Sequence, residues 1–422
     1  MSRRLLPLRC ATSAVVLALG VTLLSSATEP TVAPDVEPVA ATASTKHTFR
    51  QLTINAQLRT GTSEGVRISS GSLRIKTPVG TRSHAGKRWQ YARWTSAWSS
   101  PGHGFSELIP SWQAVTPAGT FVQVAARVQS SGGTSSWKTV GSWATNDKVF
   151  RRTSAGTQSD AIASAATDVV RARPGVTLRR YQLRVLMHRE VGRTSTPALR
   201  SVQAVASRLG PVPATSKPLY GARTLQVPSY SQMVHRGRYP QYGGGGQAWC
   251  SPTSLAMILG YYGRLPSRSS YAWVAGSSPD RVVPHLARAV YDYGYRGAGN
   301  WAFNTAYAGR LAGNAFVTRL ASLRDAERFV AAGIPLAASI SFGSGQLAGA
   351  PIRSTAGHLV VISGFTRSGD VVVNDPAAPG NASVRRTYDR GQLERAWLTK
   401  SRGTVYVVND AAHPLPSHRQ AR

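Results

Sequence analysis

Residues 209–223 (LGPVPATSKPLYGAR) carry three prolines and no apolar periodicity, and they separate two stretches of unlike texture. Proline fixes φ and has no backbone N–H, so a run like this joins folded units rather than crossing a core. Before it, residues 47–208 read as strands. FVQVAARV (121–128) and YQLRVLMH (181–188) are strand-like, and Tyr181, Leu183, Val185 and Met187 fall on one face of the second. After it, residues 224–410 read as helices followed by strands, the pattern of an α+β domain. A chain of 422 residues, 42% hydrophobic, has the apolar material for two cores. The expected organisation is a β-sandwich-like domain over 47–208, a linker over 209–223 and an α+β domain over 224–410. Six tryptophans fall in the first domain: Trp89, Trp94, Trp98, Trp112, Trp137 and Trp143. They are expected to fill its core in preference to facing outward, where they would stack on sugar rings.

The ends read differently. Arg3, Arg4 and Arg9 precede an apolar run, AVVLALGVTLL (14–24), and small residues follow at Ser25, Ser26 and Ala27. This is the layout of a signal peptide over 1–27, and the run is too short for a stable bilayer span. Residues 28–46, rich in Pro, Ala, Val and Thr, read as a flexible spacer, and 411–422 as a basic tail. The expected location is outside the cell, with wall association as a further expectation. Removing the signal takes Cys10 with it and leaves Cys250 as the single cysteine. A lone cysteine in an exported chain is open to oxidation, so it calls for a reason beyond packing.

The formal charge is +32, carried mostly by arginine. Arginine stays ionised and pairs with phosphate and carboxylate. For an exported chain the expected counter-surfaces are anionic cell-wall polymers or membrane headgroups rather than nucleic acid. A coding bias toward Arg, Ala and Gly is the compositional alternative.

Cys250 stands in GGGGQAWCSPTSLAMIL. Pro252 suits a first helical turn, and a helix is predicted over 252–262 with Leu255, Ile258, Leu259 and Tyr262 on one face. A cysteine at a helix N-terminus has backbone N–H groups and the helix dipole to stabilise a thiolate. A second helix is predicted over 283–292. A third follows Ser322, with Asp325 three residues on and Gly333 as its stop. Strands are predicted over 335–341, 358–365, 370–374 and 404–408.

A thiolate nucleophile needs a proton carrier. Among the nine histidines, His358 opens an apolar strand where a loop ends, whereas His285 lies on a helix. Asp375 closes the next strand, seventeen residues later. A hairpin turning near Ser368 and Gly369 sets the start of one strand beside the end of the other, so His358 and Asp375 become neighbours. Asn374 points to the opposite face. Gln232 and Gln247 are both candidates to donate to an oxyanion.

These segments together resemble the papain-like family-39 cysteine peptidases, which include bacteriocin-leader processing enzymes and exported stand-alone relatives. The matching pieces, in order, are VPSYSQ (227–232), CSPTSLAMILGYYG (250–263), LRDAERFVAAGIPLAASI (323–340), GHLVVISGF (357–365), VVVNDPAA (371–378) and YDRGQLERAW (388–397). Ser251 stands where the family usually has glycine. The resemblance implies a fold class of α+β papain-like cysteine peptidase domain preceded by an all-β, sandwich-like domain. It implies Cys250 as nucleophile, His358 as base, Asp375 as orienter and Gln232 as oxyanion donor, acting on a peptide or protein substrate with no metal or organic cofactor. A cell-wall amidase or endopeptidase, and a non-catalytic wall-binding protein with an inactive papain-like domain, are the alternative readings.

Overall fold

The computed structural model describes residues 44–55 and 57–416, and the chain is mostly β-sheet with few helices. The targeting segment 1–27, most of the spacer 28–46 and residues 417–422 of the tail lie outside the described residues. Among the described residues, no helix is long and apolar enough to cross a membrane.

Residues 46–208 form two eight-stranded antiparallel sheets. In one, the long strands Thr120–Ser130 and Leu178–Glu190 pair with each other. In the other, Glu107–Val115 pairs with Ala198–Arg208. Tyr181, Leu183, Val185 and Met187 are all buried, in a core that also holds Val122, Val124, Leu108, Trp112 and Val202. The apolar period of two therefore points one face of each sheet inward, as strand geometry requires. Trp89, Trp94, Trp112 and Trp143 are fully buried, whereas Trp98 and Trp137 are only half-buried.

Glu107–Val115 does not alternate: eight of its nine residues are buried. Its second face is covered by the C-terminal half of the chain. Phe303 reaches from there to Trp112 and Trp143, with ring centroids 6.0 and 5.3 Å apart. Gly141 makes the approach possible, because a Cβ there would lie 2.8 Å from the Phe303 ring. Polar groups cross the same boundary. Gln113 donates to Asn314 Oδ1 at 2.6 Å, and Arg319 pairs with Glu107 at 2.5 Å.

Among the described residues, the C-terminal half contains five α-helices, α1 (Cys250–Tyr261), α2 (Val282–Val290), α3 (Trp301–Ala312), α4 (Leu323–Ala331) and α5 (Arg390–Leu398). Its sheet is built from β1 (Asn314–Arg319), β2 (Leu336–Phe342), β3 (Thr355–Phe365), β4 (Val371–Asn374), β5 (Arg385–Tyr388) and β6 (Thr404–Asn409). Their spatial order is β1-β6-β2-β3-β4-β5, antiparallel throughout, with the two-residue strand Arg223–Thr224 added against β3. Residues Cys250 through Leu259 of α1 are all buried, so this helix is central rather than amphipathic.

Two expectations need correction. His358 does not open its strand: β3 begins at Thr355, because Phe342 of β2 still pairs with Thr355 beyond a bulge. Ser322 precedes α4, but its hydroxyl makes no cap bond. The first turn of α4 is satisfied from elsewhere, since Leu323 N–H donates to Glu394 of α5. Residues 209–222 have no helix or strand, yet they are tied down. Ser216 N–H and hydroxyl donate to Glu394, and Leu219 and Tyr220 N–H donate to Glu327.

Candidate active site

Cys250 is the first residue of α1, and its thiol is not in a disulfide. Trp249 precedes it as the cap, fully buried, with its indole N–H on Tyr242 O at 2.6 Å. Trp249 offers no side-chain acceptor to the helix, so the free N–H groups of the first turn are not capped by it. Two contacts fix α1 on the sheet. Ser254 donates to Leu359 O at 3.2 Å, next to His358, and Ser251 shares a hydrogen bond with the Tyr406 hydroxyl at 2.8 Å.

His358 and Asp375 come together as the hairpin predicts. Residues of β3 and β4 pair in antiparallel register, and Asp375 follows β4 directly. His358 Nε2 lies 2.8 Å from Asp375 Oδ1, which leaves Nδ1 as the ring atom on the far side from the carboxylate. His358 also hydrogen-bonds with the Cys250 side chain. Burial works against an imidazolium here, but the Asp375 charge, its hydrogen bond and the contact with Cys250 outweigh it and raise the His358 pKa to about 10. Burial likewise works against the Asp375 carboxylate. The His358 charge and the bonds from His358, Tyr388 and the Ala377 N–H hold it below the usual carboxylate range. Cys250 and His358 are each only 2% exposed, so the pair sits in a site shielded from bulk water.

Tyr388, the last residue of β5, donates to Asp375 Oδ2 at 2.7 Å. Sequence reasoning passed over it. The segment YDRGQLERAW holds it at its first position, but a tyrosine closing a strand carries no local sign of its partner. Asn374 points the other way, as strand alternation requires. Its amide donates to Val227 O and Pro228 O beside Met257.

The two glutamines separate clearly. Gln247 spends its amide within the glycine loop, accepting from Gly237 N–H at 2.9 Å and donating to Gly244 O at 2.6 Å. Gln232 is buried, and its amide donates to Gln247 O at 2.9 Å, three residues before Cys250. Its backbone N–H is anchored on Pro376 O at 2.9 Å, next to Asp375. Gln232 thus bridges the turn that leads into Cys250 and the turn that carries Asp375. A primary amide has two N–H donors, so one remains beyond the bond to Gln247 O.

Residues 224–405 match the Peptidase_C39 like family, and residues 48–207 match the Peptidase C39 N-terminal domain. The chain carries a C39-like peptidase domain behind a C39 N-terminal domain. No curated protein matches it. The C39-like match implies a papain-like fold for the C-terminal half and suggests a peptidase. The two matched ranges leave residues 208–223 between them, where the proline-rich segment lies.

Proposed function

We propose that this protein is an exported cysteine peptidase with Cys250 as nucleophile, His358 as proton carrier, Asp375 as orienter and Gln232 as oxyanion donor. The observation that supports it is the unbroken run of buried contacts from Cys250 to His358 to Asp375. A raised His358 pKa favours the imidazolium at neutral pH, and an adjacent imidazolium stabilises a thiolate. The sulfur attacks the substrate carbonyl carbon, and negative charge moves onto its oxygen. The remaining Gln232 N–H and the Cys250 backbone N–H are the donors for that oxygen. As the C–N bond breaks, His358 gives its proton to the departing amine. Water then attacks the thioester, with His358 taking its proton, and releases the acid.

The test is labelling with an epoxide or vinyl-sulfone probe and mapping of the modified residue, alongside hydrolysis of casein and of purified peptidoglycan. Labelling at Cys250, and loss of hydrolysis in Cys250→Ala, is the expected result. A wild-type protein that resists the probe, or a Cys250→Ala protein that still hydrolyses, overturns the proposal. Loss of peptidoglycan turbidity without casein cleavage moves the substrate to the cell wall.

A further inference from the structure

On the outward face of the sheet containing Thr120–Ser130 and Leu178–Glu190, arginines and tryptophans alternate in one continuous row. The Arg180 guanidinium lies 5.2 Å from the Trp98 ring centroid, and Arg127 lies 5.1 Å from the same ring. Arg127 is also 4.8 Å from Trp137, and Arg184 is 3.9 Å from Trp137. The order along the row is therefore Arg180, Trp98, Arg127, Trp137, Arg184. Strand alternation explains why the arginines share this face: Val124, Ala126 and Val128 point into the core beside Leu183 and Val185, so Arg127, Arg180 and Arg184 point out.

The row is held by neutral acceptors. Arg127 donates to Gln182 Oε1 at 2.8 Å, Arg180 donates to Gln129, and Arg184 donates to Thr95 Oγ1 at 3.2 Å. Among the described residues, no carboxylate pairs with any of the three. Glu64 is close by but is engaged by Arg93. The crowding is visible in Arg184, whose pKa is lowered first by burial and then by the charges of Arg93 and Arg127. Three guanidinium groups are thus fixed in place and stacked, with no carboxylate in direct contact, which is an arrangement that an anion relieves.

We propose that this face docks a flexible polyol- or sugar-phosphate polymer, one phosphodiester to each guanidinium. Register places Arg127 opposite Gln182, midway between Arg180 and Arg184 and one strand across. The backbone positions that carry successive arginines are then about 8 Å apart, from the rise per residue and the strand spacing. A polymer with one charge per repeat and a pliant backbone reaches such positions in turn. Each phosphodiester offers two oxygens to a guanidinium fork. The tryptophans already serve the arginines, each ring carrying two guanidinium groups, so neither is set out as a platform for a nucleobase or a sugar ring. The row offers no projecting apolar side chain for insertion into a lipid surface. This surface is separate from the Cys250 site, and the proposal holds whether or not the chain hydrolyses peptides.

The experiment is binding of fluorescent poly(glycerol phosphate) to the full chain and to two charge-matched double variants, each checked by thermal melting. Arg127→Gln/Arg184→Gln is expected to weaken binding roughly ten-fold or more, the scale of lost charge-assisted contacts. Arg67→Gln/Lys76→Gln, with the same charge removed from exposed positions in the other half of the domain, is expected to change it less than about two-fold. Arg180→Gln, at the exposed end of the row, serves as the second test if the double variant melts early, and is expected to weaken binding roughly three-fold or more. Equal losses in both double variants, or no loss in either, overturn the proposal. So does equal or tighter binding of oligothymidylate, of phosphatidylglycerol vesicles or of polygalacturonate.

Discussion

The Tyr388 hydroxyl donates to Asp375 Oδ2 at 2.7 Å, on the carboxylate oxygen that His358 does not use. Asp375 has no exposed surface, and its Oδ1 already receives His358 and the Ala377 N–H. Tyr388 thus fixes the rotation of the carboxylate plane, and through it the imidazole. Tyr388→Phe keeps the ring and removes the donor. Hydrogen bonds to charged groups contribute about 1.5–3 kcal/mol, so kcat/KM is expected to fall roughly ten-fold or more. The circular dichroism spectrum should be unchanged. Activity at wild-type level in Tyr388→Phe would show that Asp375 is oriented without it.

The sign of the pH dependence follows from the His358–Asp375 pair. The folded pKa of His358 lies above its ordinary value of 6.5, at about 10. The stability it contributes is present below 6.5 and is lost as pH rises through about 10. Asp375 is depressed, so its contribution is lost only as pH falls through its lowered folded value. An imidazolium-dependent rate should therefore decline on the alkaline side near pH 10. Asp375→Asn removes the opposing charge and leaves burial opposed chiefly by the contact with Cys250. The alkaline limb of kcat/KM is then expected to move down by about 1–3 pH units, measured on a short fluorogenic peptide. A limb that stays in place would mean that another group sets it.

Gln232 and Gln247 should part in their kinetics. In the proposed mechanism, Gln232→Ala removes a donor to charge that develops only during the reaction. The expected effect is a fall of about 10²–10³ in kcat with little change in KM. Gln247→Ala frees the Gly237 N–H and Gly244 O contacts of the glycine loop. Its cost is about 0.5–1.5 kcal/mol per bond, seen in thermal unfolding rather than in kcat. The reverse pattern would exchange their roles.

What was legible in the sequence was what local rules govern. The His358–Asp375 pairing follows from the length of a hairpin, and the place of Cys250 from helix-start chemistry. The fault in the His358 strand was one of extent, because the register with β2 that carries β3 back to Thr355 is a tertiary fact. Tyr388 was missed for the same reason: it reaches Asp375 from a third strand. The helix α3 escaped notice because WAFNTAYAGRLA is buried along most of its length, between the N-terminal sheet and the C-terminal core. Burial on many sides erases the one-faced stripe that marks a helix in sequence. Its cap is nonetheless in the letters, since Asn300 accepts from Phe303 N–H. Four of the six tryptophans pack inside as expected. Trp98 and Trp137 do not, because the residues beside them in space are arginines that no spacing argument brings together.

The boundary between the two halves supplies the last prediction. The Arg319 side chain is 2% exposed and pairs with Glu107, which Arg171 also holds at 2.8 Å from the rim. Burial opposes the Glu107 charge, yet Arg319 and Arg171 keep its pKa below the ordinary value, so it remains a carboxylate at neutral pH. Arg319→Met leaves that carboxylate buried with only the exposed arginine as partner. Breaking a buried pair from one side costs about 3–5 kcal/mol, and a large drop in melting temperature is expected. Replacing both partners, in Arg319→Met/Glu107→Leu, removes the stranded charge and should recover most of the loss. If the double variant melts as low as the single one, packing at this position outweighs charge. If the single variant melts like wild type, the halves are joined chiefly by Phe303 in its slot between Trp112 and Trp143. In that case Gly141→Ala, which sets a methyl group against the Phe303 ring, should be the more damaging change.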